Sequence, residues 1–148
     1  MDFCPAFWEW LIRQNRAGNV FSIEKVADEL LAGDDDLFRW TRPLGSAFFL
    51  PPDDAVLVAL PQVSRWVTTQ PYAPAAVSTF LQVADYYLVA HALGHRYIVV
   101  THEVPSDGTR KVKIPNDCIG LKIKFMNPYE MLRLERACFV LGPPAETV

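Results

Sequence analysis

Apolar residues recur at helical spacing along most of the chain, and short β-branched or aromatic runs separate the helical stretches. The most apolar stretch covers residues 75–103, where a predicted long helix ends at Gly94 and a strand follows at residues 97–101. Further helices are predicted at residues 5–15, 23–32, 37–41 and 127–137 and after the proline break at 51–53, and further strands at residues 20–22 and 121–125.

Capping residues and shared faces support several of these helices. Ser22 is predicted as the N-cap of the helix at residues 23–32, and Asn127 as the N-cap of the last helix. After the break at residues 51–53, the residues predicted to share one buried helical face are Val56, Leu60, Val63 and Val67.

Helices that alternate with short strands predict an α/β fold with a short parallel sheet. With 148 residues the chain is long enough to bury one core, so we expect a single domain over residues 1–142. Residues 143–148 follow two prolines and are predicted to form a loose tail.

Composition narrows the class of protein. A hydrophobic content of 51% excludes a disordered chain, and a net charge of -3 argues against a protein that coats nucleic acid by bulk charge. Three scattered cysteines fit neither a zinc site nor a disulfide framework. Without a signal-peptide pattern or an apolar run of membrane-spanning length, we expect a cytoplasmic protein with no membrane partner.

The most apolar stretch, residues 75–103, contains two carboxylates whose positions call for an explanation. Asp85 is the only acid in the predicted helix, where its charge is costly unless a cation or hydrogen-bond donors compensate it. Glu103 follows the predicted strand, at the kind of edge where open α/β sheets place their sites. Alternatively, Asp85 is an N-cap between two separate helices, and Glu103 is a solvated loop residue.

Other acids have competing interpretations. Glu29 lies at the border of the buried face of its helix, and an exposed ion pair with Lys25 explains it equally well. Residues 34–36 are three consecutive aspartates, which point in different directions around a helix. A solvated helix cap explains them better than a metal cluster does.

Five cations cluster between residues 110 and 124 on an otherwise acidic chain. They could form a local track for phosphates, or they could protect an exposed edge strand against aggregation. These tentative RNA-binding residues are Arg110, Lys111, Lys113, Lys122 and Lys124.

Three pieces of sequence together resemble the PIN domain, the nuclease fold of VapC-type toxins: DELLAG at residues 28–33, VADYYLVAHAL around Asp85, and VVTHE at residues 99–103. More closely, the chain resembles the DUF4411 subgroup of PIN-like proteins from about residue 7 to residue 142. The motifs that carry this resemblance are FSIEKVADELLAGDD, TFLQVADYYLVAHALGH, VVTHEVPSDGTRKVKIP and NPYEML.

The resemblance implies a three-layer α/β/α fold and a metal-dependent ribonuclease, the toxin of a type II toxin–antitoxin module with an antitoxin partner. Carried over by position, Glu29, Asp85 and Glu103 would be both the catalytic residues and the ligands of Mg²⁺ or Mn²⁺. Such hard cations prefer carboxylate oxygens and help to hydrolyse phosphodiesters. His102 is expected to lie behind the ligands or on the surface.

The chain departs from the PIN pattern at its start. PIN domains open with a strand that ends in an aspartate, and because this sequence begins after the corresponding point, we expect the first strand to be missing. We therefore expect an N-terminally shortened domain with an unoccupied sheet centre, and either poor solubility or a homodimer. A catalytically inactive protein that binds a partner is the alternative function, and Asp2 and Asp107 are the alternative sources of a fourth acid.

Overall fold

The computed structural model of the chain describes residues 4–140 and residue 142. The predicted tail at residues 143–148 and the candidate Asp2 lie outside these residues. In chain order the elements are α1 (Pro5–Arg16), β1 (Ser22–Ile23), α2 (Glu24–Leu31), α3 (Asp36–Thr41), α4 (Gly45–Phe48), β2 (Phe49–Leu50), α5 (Asp54–Thr69), α6 (Pro74–Phe80), α7 (Ala84–His95), β3 (Val99–Val100), α8 (Ile114–Leu121), β4 (Phe125–Met126) and α9 (Pro128–Leu134).

The strands form two separate parallel pairs. In one pair β1 lies beside β2, with Ser22 opposite Phe49. In the other pair β3 lies beside β4, with Val99 opposite Phe125. The predicted mixed α/β class is confirmed, but the expected short parallel sheet is divided in two, because in the described part of the chain no strand joins β1 to β3.

The main core lies between α5, α7 and α8. Val56, Val63 and Val67 on α5 are fully buried and share the face that their spacing predicts. They pack in one cluster with residues of α7, among them Val89, and with Cys118 of α8. A second cluster joins Ala27 of α2 to Phe48 of α4 and Phe49 of β2. No helix in the described residues is long and apolar enough to cross a membrane.

The predicted long helix at the start of the central stretch is two helices, α6 and α7. The chain turns at residues 81–83, between the buried residues Phe80 and Ala84. The alternative of two helices is therefore correct, but Val83 is the N-cap of α7 and Asp85 lies within its first turn. A helical break inside an apolar run keeps both flanking residues in the core.

The sequence predicted that the helix ends at Gly94, and this prediction is wrong. Helix α7 continues to His95, and Arg96 follows it in the left-handed conformation. The glycine is instead needed for helix packing. A Cβ atom at residue 94 would lie 2.8 Å from the carbonyl oxygen of Ala55 on α5. The close approach of α5 and α7 therefore depends on this position.

We expect Gly94→Ala to lower the free energy of unfolding by about 1–2 kcal/mol, because overpacking against a rigid backbone oxygen forces the two helices apart. Chemical denaturation measures the loss. Gly142→Ala is the control, since nothing lies within 4 Å of a Cβ atom there. Equal stability of the two variants would show that α5 and α7 adjust freely.

Two other boundaries also differ from the prediction. Of the strand predicted at residues 121–125, Leu121 is the last residue of α8 and Lys122 is left-handed, so strand structure begins only at Phe125 and continues to Met126. Pro115 within the first turn starts α8, where residues 114, 117 and 118 form a buried face. Ser22 is part of β1 and Ile23 is the N-cap of α2, whereas the predicted capping box at Asn127 is confirmed.

Candidate active site

Asp85 lies at the second position of α7, a half-buried site at the amino end of this apolar helix. Within the described chain its carboxylate has no hydrogen-bond or ion-pair partner. Burial raises the pKa of Asp85, and the negative charges of Glu103 and Glu29 raise it further, against the opposing effect of Lys111 and Lys113. The unusual residue of the sequence pattern is therefore also electrostatically unusual.

Glu29 reaches the same helix end from α2. Its Oε1 accepts a hydrogen bond of 3.0 Å from the backbone N–H of Ala84, the first residue of α7. Val83 provides no side-chain cap, so Glu29 satisfies one of the otherwise unpaired amides there. The alternative pairing with Lys25 is not seen, because the ammonium of Lys25 lies 3.8 Å from Asp28 and over the ring of Tyr87.

Glu103 follows β3 in an irregular segment and has a densely occupied carboxylate. Its Oε1 accepts hydrogen bonds from Lys111 at 3.0 Å and from Lys113 at 3.2 Å. Its Oε2 accepts one of 2.9 Å from the backbone N–H of Ile114, the first residue of α8. The side chain is only 20% exposed, so the alternative of a freely solvated loop residue does not describe it.

Opposing effects act on the ionisation of Glu103. Burial raises its pKa, but the hydrogen bonds from Lys111, the Ile114 amide and Lys113 outweigh burial, and the net pKa is lowered. The same contact with Glu103 raises the pKa of Lys111. Glu103 is therefore an ionised carboxylate with its charge compensated by two ammonium groups.

A fourth acid, Asp117, joins this group from α8. It is completely buried, and neither carboxylate oxygen has a hydrogen-bond partner. Burial, followed by the charges of Asp85 and Glu103, raises its pKa to about 8. The sequence analysis missed it by assigning no helix there, although one acid beside Ile114 and Cys118 on an apolar helix is the same signal that identified Asp85.

Electrostatic effects connect these acids around the amino ends of α7 and α8, since Glu29 and Glu103 act on Asp85, and Asp85 and Glu103 act on Asp117. Among the described residues, the carboxylates of Asp85 and Asp117 have no hydrogen-bond or ion-pair partner, whereas Glu29 and Glu103 each accept a hydrogen bond from a helix-terminal amide. Carboxylate oxygens alone suit a hard divalent cation, which would satisfy the two orphaned groups. In the described residues no three acidic, His or Cys side chains already stand in a metal-holding arrangement.

The predicted basic track is divided between two places. Lys111 and Lys113 lie on Glu103, beyond the carboxyl end of β3. Lys124 lies beside the start of β3, because its carbonyl accepts from the Val99 N–H at 2.9 Å. Lys122 and Lys124 line a cleft with Arg96, while Arg110 is exposed in the irregular segment.

The remaining candidates are surface features. Residues 34–36 are exposed, and Asp35 caps α3 by accepting from the Phe38 N–H at 3.0 Å, as the cap interpretation predicted. Asp107 is exposed in the irregular segment. His102 is also exposed, with its ring 6.3 Å from that of Tyr129, in agreement with the expected surface position.

A comparison with known families assigns most of the chain. The model of a family described as a domain of unknown function, DUF4411, matches residues 1–139. No curated protein and no solved structure matches the chain. All four acids lie inside the matched residues.

Proposed function

The chain belongs to the DUF4411 family, and we propose that it is a PIN-like ribonuclease that depends on Mg²⁺ or Mn²⁺ and acts as the toxin of a toxin–antitoxin module. The toxin role, RNA as the substrate and an antitoxin as the partner rest on the motif resemblance. The proposal of a PIN-like fold builds on the two parallel strand pairs and the helices that pack on them.

The observation that carries the proposal is the pair of acids without partners at one site. Asp117 is fully buried and Asp85 half-buried, and the charge of Asp85 raises the pKa of Asp117. A fold that only required stability would gain from replacing such groups by apolar ones. Retaining two carboxyl groups without partners in the described chain, in the first turns of α7 and α8, is instead typical of a site that binds a cation.

Asp85 and Asp117 are the residues that would hold the metal, with Glu29 and Glu103 beside them. When bound, Mg²⁺ or Mn²⁺ supplies an activated water and neutralises charge on the phosphodiester. Glu29 fixes the amino end of α7 and thereby the position of Asp85, and Glu103 does the same for α8 and Asp117. Lys111 and Lys113 supply positive charge at the same edge.

Metal binding is tested by thermal unfolding with and without Mn²⁺. A cation that binds only the native state stabilises it, by about 2.7 kcal/mol at one hundred times the dissociation constant. We expect a rise in melting temperature for the wild type and none for Asp85→Asn. Asp107→Asn, an exposed acid in the neighbouring segment, is the control and should keep the full rise. An unchanged response of Asp85→Asn would contradict the site.

A second candidate function is a partner-binding protein without catalysis, and the occupied carboxylate of Glu103 favours it. With three donors on its two oxygens, Glu103 is already compensated without a metal. A ribonuclease assay with Mn²⁺ separates the two functions. Cleavage that stops with EDTA and is absent in Asp85→Asn supports the nuclease, and no cleavage of any RNA supports the partner-binding protein.

We expect the substrate to contact the cleft cations more than those held by Glu103. Lys122 and Lys124 have no acidic partner among the described residues, so reversing both to Glu should weaken binding of single-stranded RNA about tenfold at low salt. The slope of the binding affinity against salt concentration, on logarithmic scales, should decrease by the equivalent of about two phosphate contacts. Fluorescence anisotropy measures both, and Lys25→Glu is the control. Binding that is indifferent to salt and to the double reversal would exclude the cleft.

A further inference from the structure

An exposed pair of rings lies beside Glu103, at the carboxyl ends of β3 and β4. His102 precedes Glu103 in the segment that follows β3, and Tyr129 follows β4 as the second residue of α9. The two ring centroids are 6.3 Å apart and the ring planes meet at 70°, which is an edge-to-face arrangement. Tyr129 is 64% exposed, and His102 is exposed as well. Because β3 and β4 are parallel, this pair of rings and the acid stand at the same edge.

The backbone that carries His102 is held on both sides. The N–H of Thr101 donates to the carbonyl of Met126 in β4 at 3.0 Å. The N–H of Glu103 donates to Oγ1 of Thr101, also at 3.0 Å. The imidazole is therefore presented from a fixed position next to the acidic site, although the chain beyond Glu103 is irregular.

Tyr129 is fixed by the capping box of α9. The Asn127 side chain accepts a hydrogen bond of 2.9 Å from the Glu130 N–H, and the Glu130 carboxylate accepts one of 2.8 Å from the Asn127 N–H. The phenol hydroxyl of Tyr129 has no hydrogen-bond partner among the described residues. A large aromatic side chain is thus held in place by its backbone, while its own ring contributes little to the core.

The charges near the pair of rings suit a phosphate chain. Lys111 and Lys113 both lie on Glu103, and most of the Lys111 side chain is exposed. The proposed divalent cation would add positive charge at the same edge. Proteins that bind single-stranded nucleic acid combine positive charge for the backbone with aromatic side chains on which bases stack. Both parts are present here.

We propose that Tyr129, with His102 against it, is a stacking platform for one unpaired base of single-stranded RNA, next to the phosphodiester that the acidic site would cleave. The inference rests on the ribonuclease function proposed above, because it takes RNA as the ligand. It does not require a bound metal. Tyr129 and His102 bind and position the substrate, and the chemistry belongs to the acids.

An unpaired base fits these rings better than a duplex or a peptide does. Neighbouring bases cover both faces of each base inside a duplex, so none is available to an aromatic side chain unless it leaves the helix. A peptide gains most of its affinity from side chains that fill well-packed, desolvated pockets. Tyr129 is instead an exposed ring beside cations, which favours a flat base that is attached to a phosphate.

The test compares two probes in EDTA, where binding is measured without metal-dependent cleavage. The first is a fluorescein-labelled ten-nucleotide oligouridylate, and the second is the same ribose–phosphate chain without bases. We expect the abasic chain to bind the wild type at least tenfold more weakly by anisotropy, because it keeps the phosphates and loses stacking. A duplex of the same length should also bind more weakly than the oligouridylate.

Variants of Tyr129 assign this difference to the ring. Tyr129→Leu should bind the oligouridylate about tenfold more weakly and the abasic chain as the wild type does. Tyr129→Phe keeps the ring and should bind both probes as the wild type does. Leu134→Ala is the matched control, since Leu134 is an apolar residue of the same helix with 62% exposure. Circular dichroism confirms that all variants are folded.

A photocrosslink locates the base directly. An oligouridylate with 5-iodouracil at its bases is irradiated on the wild-type protein, and mass spectrometry identifies the modified residue. We expect the modification at Tyr129 or His102. Crosslinks confined to the cleft of Lys122 and Lys124 would place the bases elsewhere and overturn the platform.

Further results would also overturn it. They are wild-type affinity of Tyr129→Leu for the oligouridylate, an equal loss for the abasic chain, and no preference of the wild type for the single strand over the duplex. The ribonuclease assay with Mn²⁺ is a separate measurement. Binding through Tyr129 without cleavage would contradict the nuclease and keep the platform, whereas cleavage with the same KM in the wild type and Tyr129→Leu would contradict the platform alone.

Discussion

Asp117→Asn is expected to stabilise the metal-free protein, and the gain should grow from pH 5 to pH 8. The pKa of Asp117 is raised from 3.8 to about 8, so the folded state keeps a proton that the unfolded state releases. The contribution of Asp117 to the free energy of unfolding is therefore largest below pH 4, and it falls as the pH rises toward 8. The fall is about 1.4 kcal/mol for each pH unit. An asparagine has no such dependence.

The measurement is chemical denaturation of both proteins in EDTA at pH 5, 6, 7 and 8. Asp54→Asn, an exposed acid in the first turn of α5, is the control and should leave the pH dependence as in the wild type. With Mn²⁺ at pH 8 the stability advantage of Asp117→Asn over the wild type should become smaller. The reason is that the cation stabilises the wild type through Asp117 and does not stabilise Asp117→Asn. A constant difference across this pH range would show that Asp117 is ionised in the folded protein.

Glu103→Ala is expected to lower the free energy of unfolding by about 3 kcal/mol at pH 7, because it leaves charges and an amide uncompensated. The change removes the acceptor of the Ile114 N–H at the start of α8. It also leaves Lys113, with 30% of its side chain exposed, without its carboxylate partner. Lys111 contributes less, because 64% of its side chain is exposed and water screens its charge.

Glu103→Gln separates the two parts of this effect. The amide side chain keeps an oxygen for the Ile114 N–H but loses the charge that pairs with Lys111 and Lys113. Its loss of stability should lie between those of the wild type and Glu103→Ala. Denaturation in EDTA measures all three proteins. If Glu103→Ala were as stable as the wild type, the contacts of Glu103 would contribute nothing to the position of α8.

The sequence predicted the fold best where the signal was local. Spacing alone identified the buried face of α5, and cap chemistry identified the start of α9. The sequence left open whether residues 75–94 form one helix or two, because an apolar run gives no local stop signal and the packing of Phe80 and Ala84 decides it. The helix end predicted at Gly94 is wrong because this glycine serves a contact between helices. It allows α7 to approach Ala55 on α5, and sequence spacing does not show such a contact.

The sequence supplied candidate residues for the site but not the contacts that these residues make. Glu29, Asp85 and Glu103 were recognised as candidates, and the structure shows them acting on one another through their charges. The pairing of Lys111 with Glu103 could not be derived, because it depends on how an irregular segment returns to the end of β3. Asp117 was not recognised because no helix was predicted at residues 114–121. In helix α8 the helical periodicity places Asp117 on the buried face.

Because the strands form two separate pairs, the electrostatics of the acidic site depend on how the two pairs are placed. Glu29 belongs to the helix that follows β1, and Glu103 to the segment that follows β3, so the two carboxylates are carried by different halves of the sheet. Asp85 lies under the influence of both. Because the repulsion between charges varies inversely with distance, any change in the separation of the two halves changes the proton affinity of Asp85. The ionisation of Asp85 therefore depends on side chains carried by both strand pairs, in addition to its own burial, which has the largest effect.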